Sequence, residues 1–166
     1  AGSGAAGLLL ELHGSGLGPD GRFYSMRQQG CAREMTAATL LQMCNARWEH
    51  CDLQVKAVPV RVRLCDVLAL DCDAVLVEVP AETKSLSALA AEFKKVKRDP
   101  AETVAEHLRS DEARKRNLVA SVAAYVATAH LFGLRAGGAG AIAIHEDGTL
   151  ICMDFAAIFQ QGESHF

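Results

Sequence analysis

The sequence lacks an excess of positive charge. It contains 17 Lys and Arg residues against 20 Asp and Glu residues, which gives a formal net charge of -3, and its pI is about 6.1. A protein that binds nucleic acids in general draws most of its affinity from a basic stripe that neutralises phosphates. The charge balance therefore argues against general nucleic-acid binding.

The cysteines lack the spacing of a zinc site. No C-x-x-C pair occurs, and no His and Cys residues have zinc-ligand spacing. We predict free thiols, several of them buried, in a reducing intracellular compartment, because unpaired Cys packs as a small hydrophobe. A disulfide between Cys44 and Cys51 is the alternative. The six cysteines are Cys31, Cys44, Cys51, Cys65, Cys72 and Cys152.

The chain also lacks a hydrophobic run long enough to cross a membrane. The most apolar segment, residues 118–134, is rich in Ala, contains His130, and is shorter than the ~20 residues that a bilayer requires. Its apolar residues surround the predicted helix instead of forming one stripe, which is typical of burial on all sides. We predict a central helix that needs cover from other parts of the protein or from another chain, and no transmembrane segment.

The composition favours a single domain with a hydrophobic core that spans residues 1–166. Half of the residues are hydrophobic, and no repeat or low-complexity segment occurs. In the predicted helix 33–48, Met35, Leu40 and Met43 have helical spacing. The polar segment 95–117 is the predicted hinge between two lobes. The other predicted elements are strands at 8–12, 22–26, 55–62 and 75–79, helices at 85–95 and about 99–109, and a hairpin at 143–145 and 150–153.

The C-terminal part of the chain follows the order of a kinase active site. It contains a helix with the sequence SVAAY, a Gly/Ala loop RAGGAGA, a turn with Asp-Gly and a strand that ends in MDF. This order resembles the phosphatidylinositol 3-/4-kinase family, in which S-x-A-x-Y is followed by G-x-G-D-R-H-x-x-N, a D-G turn and I-D-F-G. The register needs no insertion or deletion. The matching residues are Ser121, Ala123, Tyr125, Gly133, Asp147, Gly148, Asp154 and Phe155.

The departures from the family pattern remove its chemistry. The resemblance places the catalytic Asp at Ala136, the Arg at Gly137, the His at Gly138 and the metal-binding Asn at Ala141. Phosphoryl transfer depends on positioning and on charge stabilisation by metal ions, which these residues cannot supply. Asp154 alone makes a poor magnesium site. We therefore expect no catalytic activity, no metal and no cofactor.

The RAGGAGA loop has two interpretations of its own. A turn between helix and strand is the simpler one. A glycine loop that cradles a phosphate is the alternative, although the Lys and Ser/Thr of a Walker loop are missing.

The resemblance extends into the N-terminal half. In AREMTAATLLQMCNARW, Glu34, Met35 and Trp48 match a helix that reads R-Q-D-M-x-x-x-Q and ends in Trp. The segment AVLVEVP resembles the strand and hinge whose backbone holds adenine, which places Glu78 and Val79 at the hinge. Together with Asp154 of the D-F pair, they are the vestigial nucleotide-binding positions that the resemblance implies. The Lys that grips the nucleotide phosphates is replaced by Met26.

The resemblance implies an α+β fold that is a trimmed version of the kinase fold. Residues 1–80 are expected to form a reduced β lobe with the hinge, and residues 81–166 a partial helical lobe. The chain ends eleven residues after Phe155, so the nucleotide lid and the substrate loop of active relatives are expected to be missing. The first residue is Ala, and no signal or transit pattern follows it, so we expect a processed chain.

The sequence therefore predicts an inactive lipid-kinase-like protein that serves as an accessory subunit of a larger complex, with other protein subunits as partners. A mitochondrial membrane complex is the first setting to test. A residual nucleotide binder, with Asp154 and either Glu146 or Asp147 as a rebuilt metal pair, is one alternative. Another is a lipid-binding module that retains affinity for the head group without catalysis. The basic runs FKKVKR and ARKRN predict solvated helix faces and termini, and contact with an anionic lipid surface or an acidic partner is the alternative.

Overall fold

The structure is a computed structural model that describes residues 8–12, 22–28, 31–71, 74–96, 108, 111–136, 138–153 and 155–157. Its helices and strands run along the chain as follows. They are β1 (Leu8–Leu12), β2 (Arg22–Gln28), α1 (Cys31–His50), β3 (Gln54–Val55), β4 (Val58–Pro59), β5 (Val67–Ala69), β6 (Ala74–Val79), β7 (Thr83–Ser85), α2 (Leu86–Val96), α3 (Glu112–Phe132), β8 (Arg135–Ala136), β9 (Ile142–His145), β10 (Leu150–Cys152) and β11 (Phe155–Ala157).

The N-terminal sheet has the strand order β1-β2-β6-β5, and each pairing in it is antiparallel. The predicted strands at 8–12, 22–26 and 75–79 are confirmed, although β2 continues to Gln28. On β6, Val75 and Val77 are buried and pack against Cys65 and Val67. Such β-branched side chains favour a strand because they fill a pleated, half-buried surface.

Helix α1 is confirmed, but it buries a different face from the one that its large apolar side chains predict. Ala37 and Leu41 are fully buried together with Glu34, whereas Met35 and Met43 are 45% and 64% exposed. The buried residues follow the spacing i, i+3, i+7, which places them on one side of the helix. Side-chain size was therefore a poorer guide to the buried face than position.

The prediction of one strand over 55–62 is wrong. The chain instead turns back between β3 and β4, where Lys56 and Ala57 have φ values of 52° and 63°. Two successive positive φ values form a turn whose twist matches that of a two-stranded hairpin. Asn-Gly or Asp-Gly normally marks such a turn, and Lys-Ala carries no such signal.

The residues after this hairpin are held by Asn45 on α1. The Asn45 side-chain amide donates to the Val62 carbonyl at 2.8 Å, and the Val62 amide donates to the Asn45 side-chain oxygen at 2.9 Å. Both polar groups of one backbone residue are thus satisfied by one side chain. This contact holds the chain at Val62 against α1.

Helix α2 begins and ends within one residue of the predicted bounds. The Ala88 amide donates a 3.1 Å hydrogen bond to the Ser85 hydroxyl, which caps the start of the helix. The helix predicted at about 99–109 lies outside the described residues, except for Leu108, which is helical and buried.

Helix α3 begins at Glu112, whereas the apolar pattern predicts a start at residue 118. The Asp111 carboxylate accepts hydrogen bonds from the Ala113 and Arg114 amides, at 2.8 and 3.4 Å, and so caps the first turn. Gly133 ends the helix with φ at 59°. Residues 112–117 therefore belong to a helix, and their assignment to a hinge is wrong.

The basic run at 113–117 is compensated within α3. Lys115 lies 2.6 Å from the Glu112 carboxylate, and Arg114 lies 3.6 Å from Asp111. These pairs support its interpretation as a solvated helix face. The side chains of the other basic run, residues 93–98, lie outside the described residues.

The strands that follow α3 belong to two further antiparallel sheets. The predicted C-terminal hairpin is confirmed as β9 and β10, and β7 pairs with the free side of β9. A two-stranded sheet joins β8 to β11. The segment that follows β6 therefore contacts the C-terminal hairpin directly, with Thr83 opposite His145.

The largest buried cluster joins α1, the residues after β4, α3 and the last strands. Its apolar side chains are packed between antiparallel strands and helices, so the prediction of an α+β fold is confirmed. None of the described helices is long and apolar enough to cross a membrane. The members of the cluster are Ala37, Leu41, Val60, Val62, Ala124, Leu134, Cys152 and Phe155.

Candidate functional site

The loop after α3 lies next to the segment that contains Asp154. Strand β8 pairs with β11, so that Ala136 is opposite Phe155. Further along the loop, the Met153 amide donates a 2.7 Å hydrogen bond to the Ala141 carbonyl. The positions matched to the catalytic Asp and the metal-binding Asn are thus paired with the residues on either side of Asp154, which itself lies outside the described residues.

This loop offers backbone groups and no ionisable side chain at the matched positions. The Ala141 amide donates a 2.9 Å hydrogen bond to the Gly138 carbonyl, and Ala141 is buried. An amide that is already bonded inside the loop is not free to hold a phosphate. The hydrogen bond therefore supports the interpretation of RAGGAGA as a tight turn.

Glu78 and Val79 form the end of β6. Glu78 is tied to the residue that precedes β5: its amide donates to the Asp66 carbonyl at 2.8 Å, and its carboxylate accepts from the Asp66 amide at 3.1 Å. Arg22 lies 3.7 Å from the same carboxylate. The structure thus places Glu78 in a contact between strands, and the adenine role of these two residues stays a prediction.

Met26 lies in β2, opposite Leu8 on one side and Leu76 on the other. It is half-buried among apolar strand residues. Tyr24 and Glu78 are opposite each other two residues further along the same pair of strands. The structure therefore brings Met26 and Glu78 onto neighbouring strands, and Ala136, Gly138 and Ala141 into one loop.

A polar network at the turn of the β9–β10 hairpin was not predicted. Arg63 lies 3.3 Å from the Asp147 carboxylate, and the Asn117 side-chain amide donates to the Asp147 carbonyl at 2.9 Å. The Thr149 amide donates to the same carboxylate at 2.8 Å. Only this last contact has a sequence signal, because Asp often accepts from the amide two residues later in a turn.

His145 completes the network with a side chain that is 13% exposed. Its Nδ1 atom lies 3.0 Å from the Asp147 carboxylate and also within 3.3 Å of the Asp147 amide, while Nε2 lies 3.8 Å from Glu82. An unprotonated Nδ1 accepts from the amide, whereas a protonated one donates to the carboxylate. Whether Nδ1 carries a hydrogen, in either the neutral or the charged ring, therefore decides which of these two hydrogen bonds forms.

The network stabilises the ionised form of Asp147. Burial opposes ionisation, but hydrogen bonds from the Thr149 amide and hydroxyl and from the His145 ring outweigh it, so the pKa of this carboxyl lies below its usual value. A carboxylate that is held in this way is a fixed acceptor. It is poorly suited to take up a proton during catalysis.

Replacing Asp147 by Asn should reduce stability in a pH-dependent manner. Because the folded-state pKa is lowered, the ionised carboxyl stabilises the fold above its unfolded pKa of ~3.9, and this contribution is lost as the pH falls through the folded value. In urea unfolding, the gap between wild type and Asp147→Asn should be largest near neutral pH and should close in acid. A gap that is independent of pH would contradict this assignment.

Glu146→Gln provides the matched control in the same turn. Glu146 is exposed, and among the described residues its carboxylate makes no hydrogen bond or ion pair. Its replacement should change the free energy of unfolding by less than the Asp147 replacement at neutral pH.

The rebuilt metal pair of Asp154 with Glu146 or Asp147 stays a prediction, because Asp154 lies outside the described residues. Asp147 lies at the turn of the hairpin, where its carboxylate accepts a hydrogen bond from the Thr149 amide. Among the described residues, no three His, Cys, Asp or Glu side chains are close enough together to hold a metal ion.

The cysteines agree only in part with the prediction of buried free thiols. Cys44 and Cys51 are free thiols, so the alternative disulfide between them is not formed, and Cys65 is half-buried. Cys152 is buried, but Cys51 is exposed, because it follows the end of α1 in a turn. Burial raises the pKa of the Cys44 thiol. The side chain of Cys31 and the whole of Cys72 lie outside the described part of the chain.

Comparison with known proteins adds no relative: no protein-family model matches the sequence, and no curated protein matches it.

Proposed function

We propose that this chain has a reduced lipid-kinase-like fold and acts as a catalytically inactive accessory subunit of a larger protein assembly. The contact between the loop that follows α3 and residues 153–155 carries the proposal. In active protein kinases, the Asp of D-F-G and the Asn of the catalytic loop hold the metal ions together, so the two must be neighbours. Here Met153, the residue before the matching Asp154, donates a hydrogen bond to the carbonyl of Ala141, which stands at the position of the Asn.

The same contact is the reason to propose an inactive protein. At the position of the metal-binding Asn stands the buried Ala141, and at the position of the catalytic Asp stands Ala136, opposite Phe155. The phosphate-binding Lys is replaced by Met26 within an apolar strand pair. Residues that act as a unit in catalysis leave little activity when one is lost, and here three are replaced together.

Magnesium and ATP should not stabilise this protein. A ligand that binds only the folded state stabilises it by ~2.7 kcal/mol at about 100 times its dissociation constant. We expect no shift of the melting temperature with ATP and magnesium, and the same result for Asp154→Ala, because Asp154 lacks its partner ligand. The measurement is a thermal unfolding series with ATP and magnesium, and with EDTA as the control.

A rise in melting temperature that needs magnesium and disappears in Asp154→Ala would overturn the proposal of an inactive site. It would favour the residual nucleotide binder instead. A rise that persists in EDTA and in Asp154→Ala would indicate nucleotide binding away from the D-F motif.

The proposal of an accessory subunit is supported by exposed apolar side chains on α3. Val119, Val126 and Leu131 are 41%, 57% and 65% exposed. They stand on the helix whose apolar residues extend around all of its sides, while Ala120 and Ala124 face the interior. Val119 and Val126 are seven residues apart and therefore share one face of α3, and exposed apolar surface of this kind marks interaction sites in soluble proteins.

Replacing Val126 and Leu131 by Ser should weaken association without unfolding the protein. Each apolar side chain of this size contributes about 1.5–3 kcal/mol when it is fully buried, so the double variant should reduce the affinity of self-association or of partner binding by at least about tenfold. Light scattering across a concentration series measures the first quantity, and retention of a co-purified partner measures the second.

Met43→Ser is the matched control, because Met43 is 64% exposed on a different helix. Association that is unchanged by the α3 double variant, or that is reduced equally by Met43→Ser, would show that α3 is not the contact surface.

A further inference from the structure

A polar cavity of about 670 Å³ lies beside the turn of the β9–β10 hairpin. Its walls come from α1, the residues after β3, the first half of α3 and the hairpin turn. Small-molecule sites typically enclose roughly 300–1,000 Å³. The cavity is therefore large enough for a small polar ligand.

The walls are held in place by hydrogen bonds within the protein. Asn45 binds both backbone groups of Val62, Asn117 binds the Asp147 carbonyl, and the Ser121 hydroxyl accepts from the Leu150 amide at 2.9 Å. Together with the 3.3 Å contact between Arg63 and Asp147, these hydrogen bonds join all four elements that line the cavity. A ligand that enters it meets a preformed surface, which lowers the ordering cost of binding.

Two arginines line this cavity. Arg63 is fixed by its 3.3 Å contact with Asp147, whose carboxylate is itself held by Thr149 and His145. Arg61 lines the same cavity and is exposed. Within the described residues, Arg61 makes no ion pair or side-chain hydrogen bond. The lining therefore carries one compensated and one uncompensated positive charge.

We propose that this cavity binds a small molecule that carries a phosphate monoester, with Arg61 as the main anion-binding residue. The planar fork of Arg matches phosphate oxygens with two parallel hydrogen bonds. A phosphate dianion contacts both arginines, because Arg63 retains donors beyond the one that faces Asp147. A carboxylate monoanion balances Arg61 alone and is expected to bind more weakly.

This site is separate from the loop on which the proposed function rests. Asp147 and Thr149 lie at the turn of the hairpin, whereas Ala141 and Met153 lie at its open end. The inference about the cavity therefore holds or fails independently of the inactive-kinase proposal.

The test is a titration of the isotopically labelled full chain with inorganic phosphate and with glycerol 3-phosphate at low ionic strength, followed by amide chemical shifts. We expect saturable shifts at millimolar concentrations around residues 61–63 and 147–149. Arg61→Gln should weaken binding by about tenfold or more, since a hydrogen bond to a charged group is lost. Arg61→Lys should fall between, because it keeps the charge and loses the fork.

Arg47→Gln is the matched control. Arg47 is exposed in the last turn of α1, and it does not line the cavity. Binding that is lost in Arg61→Gln and kept in Arg47→Gln supports the proposal. Shifts that do not saturate, equal losses in both variants, or acetate that binds as tightly as the phosphates would each overturn it. Circular dichroism of each variant separates loss of binding from loss of folding.

Discussion

Gly148→Ala should destabilise the protein by about 3 kcal/mol or more, although it adds a single methyl group. Gly148 has φ at 90°, a conformation that L side chains rarely adopt. A Cβ atom there would overlap the Arg114 carbonyl oxygen and lie 2.8 Å from the carbonyl carbon and Cα of the same residue. Because these are backbone atoms of α3, the hairpin turn must move away from the helix.

Two other glycines, in the loop after α3, separate the cost of backbone strain from the cost of atomic overlap. At Gly138, with φ at 132°, an added Cβ meets no atom within 4 Å, so Gly138→Ala carries the strain alone. At Gly140 an added Cβ would lie 3.6 Å from the Ser87 hydroxyl, an ordinary contact. Urea unfolding should therefore rank the losses as Gly148→Ala first, Gly138→Ala second and Gly140→Ala last. Equal losses at Gly148 and Gly140 would contradict the helix contact.

The hairpin turn shows how far local sequence signals reach. Asp147-Gly148 predicts the turn, because this dipeptide favours the required backbone conformation. The tight contact between Gly148 and Arg114 is invisible in the sequence, since it depends on where α3 lies relative to the hairpin. Local propensity therefore predicts the turn and gives no information about the helix that crosses it.

The start of α3 and the turn between β3 and β4 differ from the predicted boundaries, and neither has an apolar or glycine signal in the sequence. Asp111 begins α3 in a charged segment that contains no apolar repeat, so the helix was expected to begin only at residue 118. The turn at Lys56 and Ala57 has positive φ values without Gly or Asn. The first turn of α3 is set by a local cap, which an apolar pattern does not reveal, and the turn at Lys56 and Ala57 is held by the pairing of β3 with β4.

The candidate sites differ in the same way. The sequence order places Ala136 and Ala141 in one loop, and the pairing of β8 with β11 then sets that loop beside Phe155. The polar cavity joins Arg63, Asn117 and Asp147, which are far apart in the chain. Only the three-dimensional fold brings these three side chains together, so no spacing pattern in the sequence predicts them.

Leu41→Ala should have the other large effect, with a loss of about 2–5 kcal/mol in the free energy of unfolding. Leu41 is fully buried in the cluster that joins α1 to Val62, Ala124 and Phe155. Removing its side chain leaves a cavity at the point where four elements meet, and the fully buried Ala124 cannot expand to fill it. For a chain of this length, the melting temperature should fall by roughly 10 °C.

Met43→Ala tests whether this loss comes from the burial of Leu41 rather than from a change in helix propensity. Both residues lie on α1 and both substitutions yield Ala, the residue with the strongest helix preference, so helix propensity changes little in either case. Met43 is 64% exposed, and its replacement should change stability by less than about 1 kcal/mol. Similar losses in the two variants would place Leu41 outside the core, and the face of α1 defined by Glu34, Ala37 and Leu41 would no longer be the one that packs against α3.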